Sequence, residues 1–272
     1  MPAPSLSGPV ALLGIPWDAH SSHARGPAAG PAAIRNALAD GAGNWVNSRG
    51  QNLRDAGLLV DIGDVAVDPE VEDIDAITRV VSAQLALGRP VLSLGGDHAL
   101  TWPVFRAYAE QWSDIAIVHI DAHPDLHDAF EGDALSHASP FARIMERGLA
   151  PRLVQIGIRA SDAHQRAQAA RFGVETFAPE RFGDALACLP TGRIYLTIDL
   201  DGLDPAFAPG VNHYEPGGLT TRELLALIEA LPAPIVGADI VELCPPRDHR
   251  DMTAKLAAKL VKELVGRMSP PR

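Results

Sequence analysis

Three short runs of aspartate and histidine carry the chemistry legible in this chain. They are Gly95-Gly96-Asp97-His98, Asp121-Ala122-His123-Pro124-Asp125 and Asp199-Leu200-Asp201-Gly202-Leu203-Asp204-Pro205. Each follows an apolar stretch (Val91 to Leu94, Ile115 to Ile120, Ile194 to Ile198) with the length and composition of a buried strand. Asp121, His123 and Asp125 share one parity, as do Asp199 and Asp201, so a chain that stays extended past the strand aims them to one side. With His98 the set offers four carboxylates and two imidazoles. Oxygen with some nitrogen and no thiolate suits Mn²⁺, with Fe, Co, Ni or Zn also allowed by ligand type. Four aspartates neutralise the charge of two divalent ions, whereas repulsion disfavours crowding them about one. Two such ions about 3.5–4 Å apart can share a water and lower its pKa towards neutrality, yielding hydroxide.

Singly, each residue has a plainer role. An aspartate after a strand is ordinarily a helix cap or a turn former, and Asp97 and Asp204 fit those parts. His119, inside the strand, reads as a packed core histidine rather than a ligand. Independent caps, however, have no reason to repeat D-x-H-x-D and D-x-D at strand ends, and that repetition carries the metal reading.

The elements that must position these residues alternate. Strand-like runs recur at 10–15, 58–62, 91–94, 115–120, 153–158, 174–177, 194–198 and 235–240, and helical spacing occupies 31–38, 71–87, 103–112, 141–147, 163–172, 222–230 and 252–268. Alternation of this kind implies parallel strands with right-handed crossovers, hence a three-layer α/β/α fold with one eight-stranded parallel sheet. No linker divides the chain, so residues 1–272 are expected to form one domain. In such sheets ligands bind beyond the carboxyl ends of the strands, where all three acidic runs lie.

Composition narrows the function classes. The 272 residues are 47 % hydrophobic and 21 % charged, enough for a sizeable core. A net charge of -11 argues against nucleic acid and anionic membranes and is compatible with a cationic substrate. Met1 to Gly8 has neither a basic n-region nor a long apolar run, so no signal peptide is expected. Two cysteines without paired spacing suit a reduced, cytoplasmic protein.

The three runs, in this order, resemble the signatures of the ureohydrolase family of arginases and agmatinases, and the third matches in full from Asp199 to Gly210. The resemblance extends from Leu13-Gly14-Ile15-Pro16-Trp17-Asp18 to the C-terminal helix. Ser136-His137-Ala138-Ser139-Pro140 and Gly210-Val211-Asn212-His213-Tyr214-Glu215-Pro216 look most like the plant-type arginases. The resemblance implies two Mn²⁺ ions, His98 and Asp125 on one, His123 and Asp201 on the other, with Asp121 and Asp199 bridging. It makes His137 the mobile proton shuttle and Glu242 the seat of the guanidinium group; Asp125 counts with them among the catalytic residues. It also implies a homo-oligomer, commonly a trimer or hexamer. Paired charge-assisted hydrogen bonds donated to Glu242 would orient the guanidinium carbon, and a histidine with a pKa near 7 would protonate the leaving amine.

The far end of the substrate falls to loops beyond the metals. His127, Asp162 and Ser136 are candidates, with Asp162 serving equally as the cap of helix 163–172. His127 replaces an asparagine of the animal-type arginases, and Ala160 an aspartate. Plant-type similarity favours L-arginine, with agmatine or another guanidino acid next. Two other classes are weighed: a catalytically silent binding subunit, expected to lack ligands that are all present here, and a single-zinc deacetylase relative, expected to carry a different histidine pattern.

Overall fold

Runs of Val, Ile and Leu buried on both faces can only be interior strands of a parallel sheet, and this chain has enough of them to build one that is covered on both sides. The computed structural model describes residues 5–41, 43–66, 74–232 and 234–269. The expected start of the second helix (71–73) and the first four residues of the N-terminal segment lie outside those described.

The strands are β1 (Val10–Ile15), β2 (Leu59–Asp64), β3 (Val91–Gly95), β4 (Ala116–Ile120), β5 (Leu153–Ile156), β6 (Glu175–Phe177), β7 (Ile194–Asp199) and β8 (Ile235–Val241). They form one sheet in the order β2-β1-β3-β8-β7-β4-β5-β6, and every pairing is parallel. The helices are α1 (Gly30–Ala39), α2 (Ile74–Ala86), α3 (Thr101–Ala109), α4 (Pro140–Glu146), α5 (Ala163–Phe172), α6 (Phe182–Ala187), α7 (Thr221–Ala230) and α8 (Met252–Met268). Helices α1, α7 and α8 seal one apolar layer against the sheet, and α2, α3 and α4 the other.

Local chemistry sets the helix ends. Pro31 sits in the first turn of α1, Asp162 caps α5 by accepting from the Gln165 N–H, and Gly173 ends α5 at φ 67°. Thr220 and Glu223 close a reciprocal capping box on α7. In α8, Leu256, Leu260 and Leu264 are buried, packed within their own chain against α1, α7 and β8. Sequence periodicity omits α6, a six-residue helix with a single buried residue, too short to display a stripe.

The sheet order matters most for function. β3, β8, β7 and β4 are consecutive neighbours at its centre, so the segments leaving their carboxyl ends meet without long loops. Register keeps them level: Ile120 pairs with Ile198, Ile198 with Ile240, and Leu94 with Ile240.

Candidate active site

Immediately past those paired residues the chain departs from extended geometry. Asp125 adopts φ 51°, and Asp201 lies in a 3₁₀ turn spanning Leu200–Gly202. The aspartates converge because the backbone bends at the strand ends, not because it stays extended as their shared parity suggests. Asp199 Oδ1 accepts from the Asp201 N–H at 2.8 Å, fixing that bend. Gly202 lets the turn approach β4 closely, since a Cβ there would stand 2.8 Å from the Asp121 nitrogen. Glu242, one residue past β8, is also held at positive φ (65°). Two non-glycine residues in this region at one site are backbone strain placed where the side chains must point inward.

The six residues expected around metal come together. His98 Nδ1 lies 3.1 Å from Asp121 Oδ2, 3.1 Å from Asp125 Oδ2 and 3.4 Å from Asp199 Oδ2. His123 Nδ1 lies 3.4 Å from Asp121 Oδ1 and 3.2 Å from Asp201 Oδ2. The candidate ligand atoms of His98, His119, Asp121 and Asp125 form one tight group, those of Asp121, His123 and Asp201 another, and Asp121 belongs to both. His119 was expected to be core packing; it is fully buried but hydrogen-bonded to Asp121 Oδ2 at 2.7 Å.

The electrostatics fit a bound cation. Burial, with repulsion from Asp201 and Asp121, drives the Asp199 carboxyl well above the usual carboxylate range, and burial with Asp121 lifts Asp201 to about 6. Buried His98 Nδ1 has no hydrogen-bond partner among the described residues, while its Nε2 is 2.9 Å from Thr197 Oγ1. Nitrogen and oxygen donors without thiolate, crowded and underneutralised, are the donor set of a divalent metal.

Beside this centre His137 Nδ1 lies 2.9 Å from Glu242 Oε1, which also accepts from the His98 N–H at 2.9 Å. Burial lowers the proton affinity of His137, but Glu242, aided by Asp97 and Asp125, outweighs it and pushes the pKa up to about 9. Ser22 Oγ lies 2.8 Å from His137 Nε2. No motif marked Ser22; the segment Leu13 to Asp18 only pointed to its neighbourhood.

A cavity of ≈ 190 Å³ opens over the centre, lined among others by Ser22, His123, His127, His137, Gln165 and His213. His127 thus reaches the cavity. Asp162 is outside its lining and spends its carboxylate on the α5 cap, with Oδ2 3.7 Å from His127 Nε2. Ser136 is also outside the lining and buried, its hydroxyl accepting from the Ala138 N–H at 3.3 Å. Asp97 caps the turn after β3 and Asp204 makes a turn by accepting from the Ala206 and Gly217 N–H groups. Arg159 donates to the carbonyls of Gly157, Asp201, Gly202, Leu203 and Glu215, pinning three site-bearing segments together.

Comparison with known proteins places this geometry. The chain is 46 % identical to arginase 1, mitochondrial, of Arabidopsis thaliana, covering 96 % of this chain and 81 % of that protein. It is 34 % identical to an agmatinase of Bacillus anthracis, covering 94 % of this chain and 90 % of that one. The solved structure of arginase from Medicago truncatula superposes with a TM-score of 0.90 at 42 % identity, over 97 % of this chain and 88 % of that chain. A profile of the arginase family matches residues 8–266, so nearly the whole chain lies inside the match, and this protein belongs to the arginase family.

Proposed function

We propose that this protein is a binuclear manganese amidinohydrolase that converts L-arginine to urea and ornithine. The observation that carries the reading is the convergence of His98, Asp121, His123, Asp125, Asp199 and Asp201 under a cavity whose wall includes His137. His98 and Asp125 would hold one ion, His123 and Asp201 the other, with Asp121 and Asp199 shared. Bound ions of this kind supply an acidified water able to attack a resonance-stabilised guanidinium carbon at neutral pH.

The chain's own residues bind, orient and move protons. Glu242 Oε2 has no hydrogen-bond partner among the described residues, and we assign the guanidinium to it. His137 lines the cavity with Nδ1 against Glu242 and Nε2 against Ser22, and a pKa of about 9 keeps the ring protonated near neutrality. It therefore enters the reaction as the acid that protonates the departing amine. His127 lines the cavity, and we assign it the amino-acid end of the substrate. The substrate assignment follows the plant arginases, with agmatine or another guanidino acid as the second reading, supported by the agmatinase relative.

No helix among the described residues is long and apolar enough to cross a membrane. We infer a cytoplasmic homo-oligomer, a trimer or hexamer, the compartment resting on two cysteines that are both free. Urea release from L-arginine, agmatine and 4-guanidinobutyrate by the manganese-loaded protein tests the function. Arginine should be turned over fastest; inertness towards all three sinks the proposal. His137→Asn should lower kcat by about 10²–10⁴ with little change in KM.

A further inference from the structure

We infer that His119 is a positioning residue for Asp121, and that Gln155 fixes the tautomer in which it acts. This rests on the divalent-metal reading of the site and adds to it two residues that touch neither cavity nor substrate.

His119 and Gln155 are register partners on β4 and β5, so their side chains leave the sheet on one face. Both are fully buried, as is Asp121. The Gln155 amide nitrogen lies 2.6 Å from the Pro124 carbonyl oxygen, which can only accept, so that position must be the NH₂ group. Its second hydrogen points at His119 Nδ1, 3.0 Å away. Nδ1 is therefore an acceptor and the ring proton resides on Nε2. That nitrogen stands 2.7 Å from Asp121 Oδ2 and donates to it. Phe141 packs against the imidazole with centroids 4.0 Å apart and planes tilted by 31°, blocking a flip.

Asp121 is thus gripped at both oxygens, since Oδ1 accepts from the His123 N–H at 2.6 Å. Each oxygen keeps a lone pair facing a different imidazole, His98 for Oδ2 and His123 for Oδ1. A carboxylate shared by two ions needs this orientation before either arrives, and outer residues of this type typically set 10–100-fold of metal affinity. Close approach alone would also suit His119 as a ligand. A ligand must present a lone pair, however, and the Gln155 contact places a proton on the nitrogen facing the centre.

The test is titration of the metal-free protein with Mn²⁺, free ion being followed by electron paramagnetic resonance. His119→Phe keeps an aromatic ring against Phe141 and deletes the donor; Gln155→Leu leaves the imidazole but frees its tautomer. Wild type should bind two ions, His119→Phe should still bind two with affinity lower by about 10–100-fold, and Gln155→Leu should weaken binding in the same direction by less. Unchanged affinity in a folded His119→Phe overturns the inference, and so does outright loss of one ion, which would make His119 a ligand. Should His119→Phe not fold, Gln155→Leu decides, and wild-type affinity there overturns the tautomer lock. Failure of wild type to bind any divalent ion would instead sink the metal reading itself.

Discussion

Asp121 and Asp199 follow paired residues on adjacent strands, are equally buried, and face the same centre, yet their proton affinities move in opposite directions. Burial raises both. At Asp121 it is outweighed by His119, with His123 and His98 close by, and the carboxyl is held well below its usual range. At Asp199 burial is reinforced by Asp201 and Asp121, and the His98 contact and the Asp201 N–H do not offset them. The β4 carboxylate is held by the protein's own donors; the β7 carboxylate is left facing groups of its own sign. A site built in this way is pre-shaped on one side and left electrostatically hungry on the other, which favours loading of metal over collapse onto an internal cation.

The comparison makes its largest prediction in the metal-free protein. Asp121→Asn removes the charge and turns an NH₂ group on one of two donors, the His119 Nε2–H and the His123 N–H, and should destabilise by about 3 kcal/mol in denaturant unfolding at pH 8. Asp199→Asn removes a repelled carboxylate and should stabilise by about 1–2 kcal/mol under the same conditions. Changes of the same sign would break the contrast.

A second prediction concerns pH. Asp201 has its folded pKa raised to about 6, above the value in an unfolded chain, so the native state binds the extra proton between roughly pH 4 and 6. Its contribution to stability is present below the unfolded value and is lost as pH rises through about 6. Thermal unfolding of metal-free protein should therefore show Tm falling by roughly 5 °C across that window, less steeply in Asp201→Asn, and the fall should vanish with metal bound.

How far the sequence reached can be judged on the same residues. Strand positions and the converging aspartates and histidines are legible because buried parallel strands write continuous apolar runs and those residues sit in short motifs directly after them. The 3₁₀ turn at Asp201 and the positive φ at Asp125 leave no trace in spacing, which by itself implies an extended geometry that the chain does not adopt. At His119 a packed core histidine and a hydrogen-bonded one look alike in sequence until the partner strand is known, and Gln155 lies 36 positions away. Ser22 and Arg159 act through contacts that depend on loop closure, which no local pattern encodes.

A smaller effect concerns His137 and Glu242. The His137 proton is lost as pH rises through about 9, so activity that needs it should fall on that alkaline limb. Glu242→Gln removes the main stabilising charge and should move the limb down by about 1–2 pH units in kcat–pH profiles. An unmoved limb would separate Glu242 from the titration of His137.

The smallest effect belongs to the outer wall. Asp162→Ala should cost about 1 kcal/mol through the lost α5 cap, with KM for arginine unchanged. A tenfold rise in KM would put Asp162 on the substrate instead.

The central claim is that two strand ends, one prepaired and one unpaired, hold two divalent ions between them. Counting Mn²⁺ bound per chain by equilibrium titration in wild type, Asp121→Asn and Asp199→Asn tests it most directly. The account predicts two ions in wild type and a loss of the pair in either variant, despite their opposite effects on metal-free stability. A single ion in wild type, or two undisturbed ions in either variant, would contradict it.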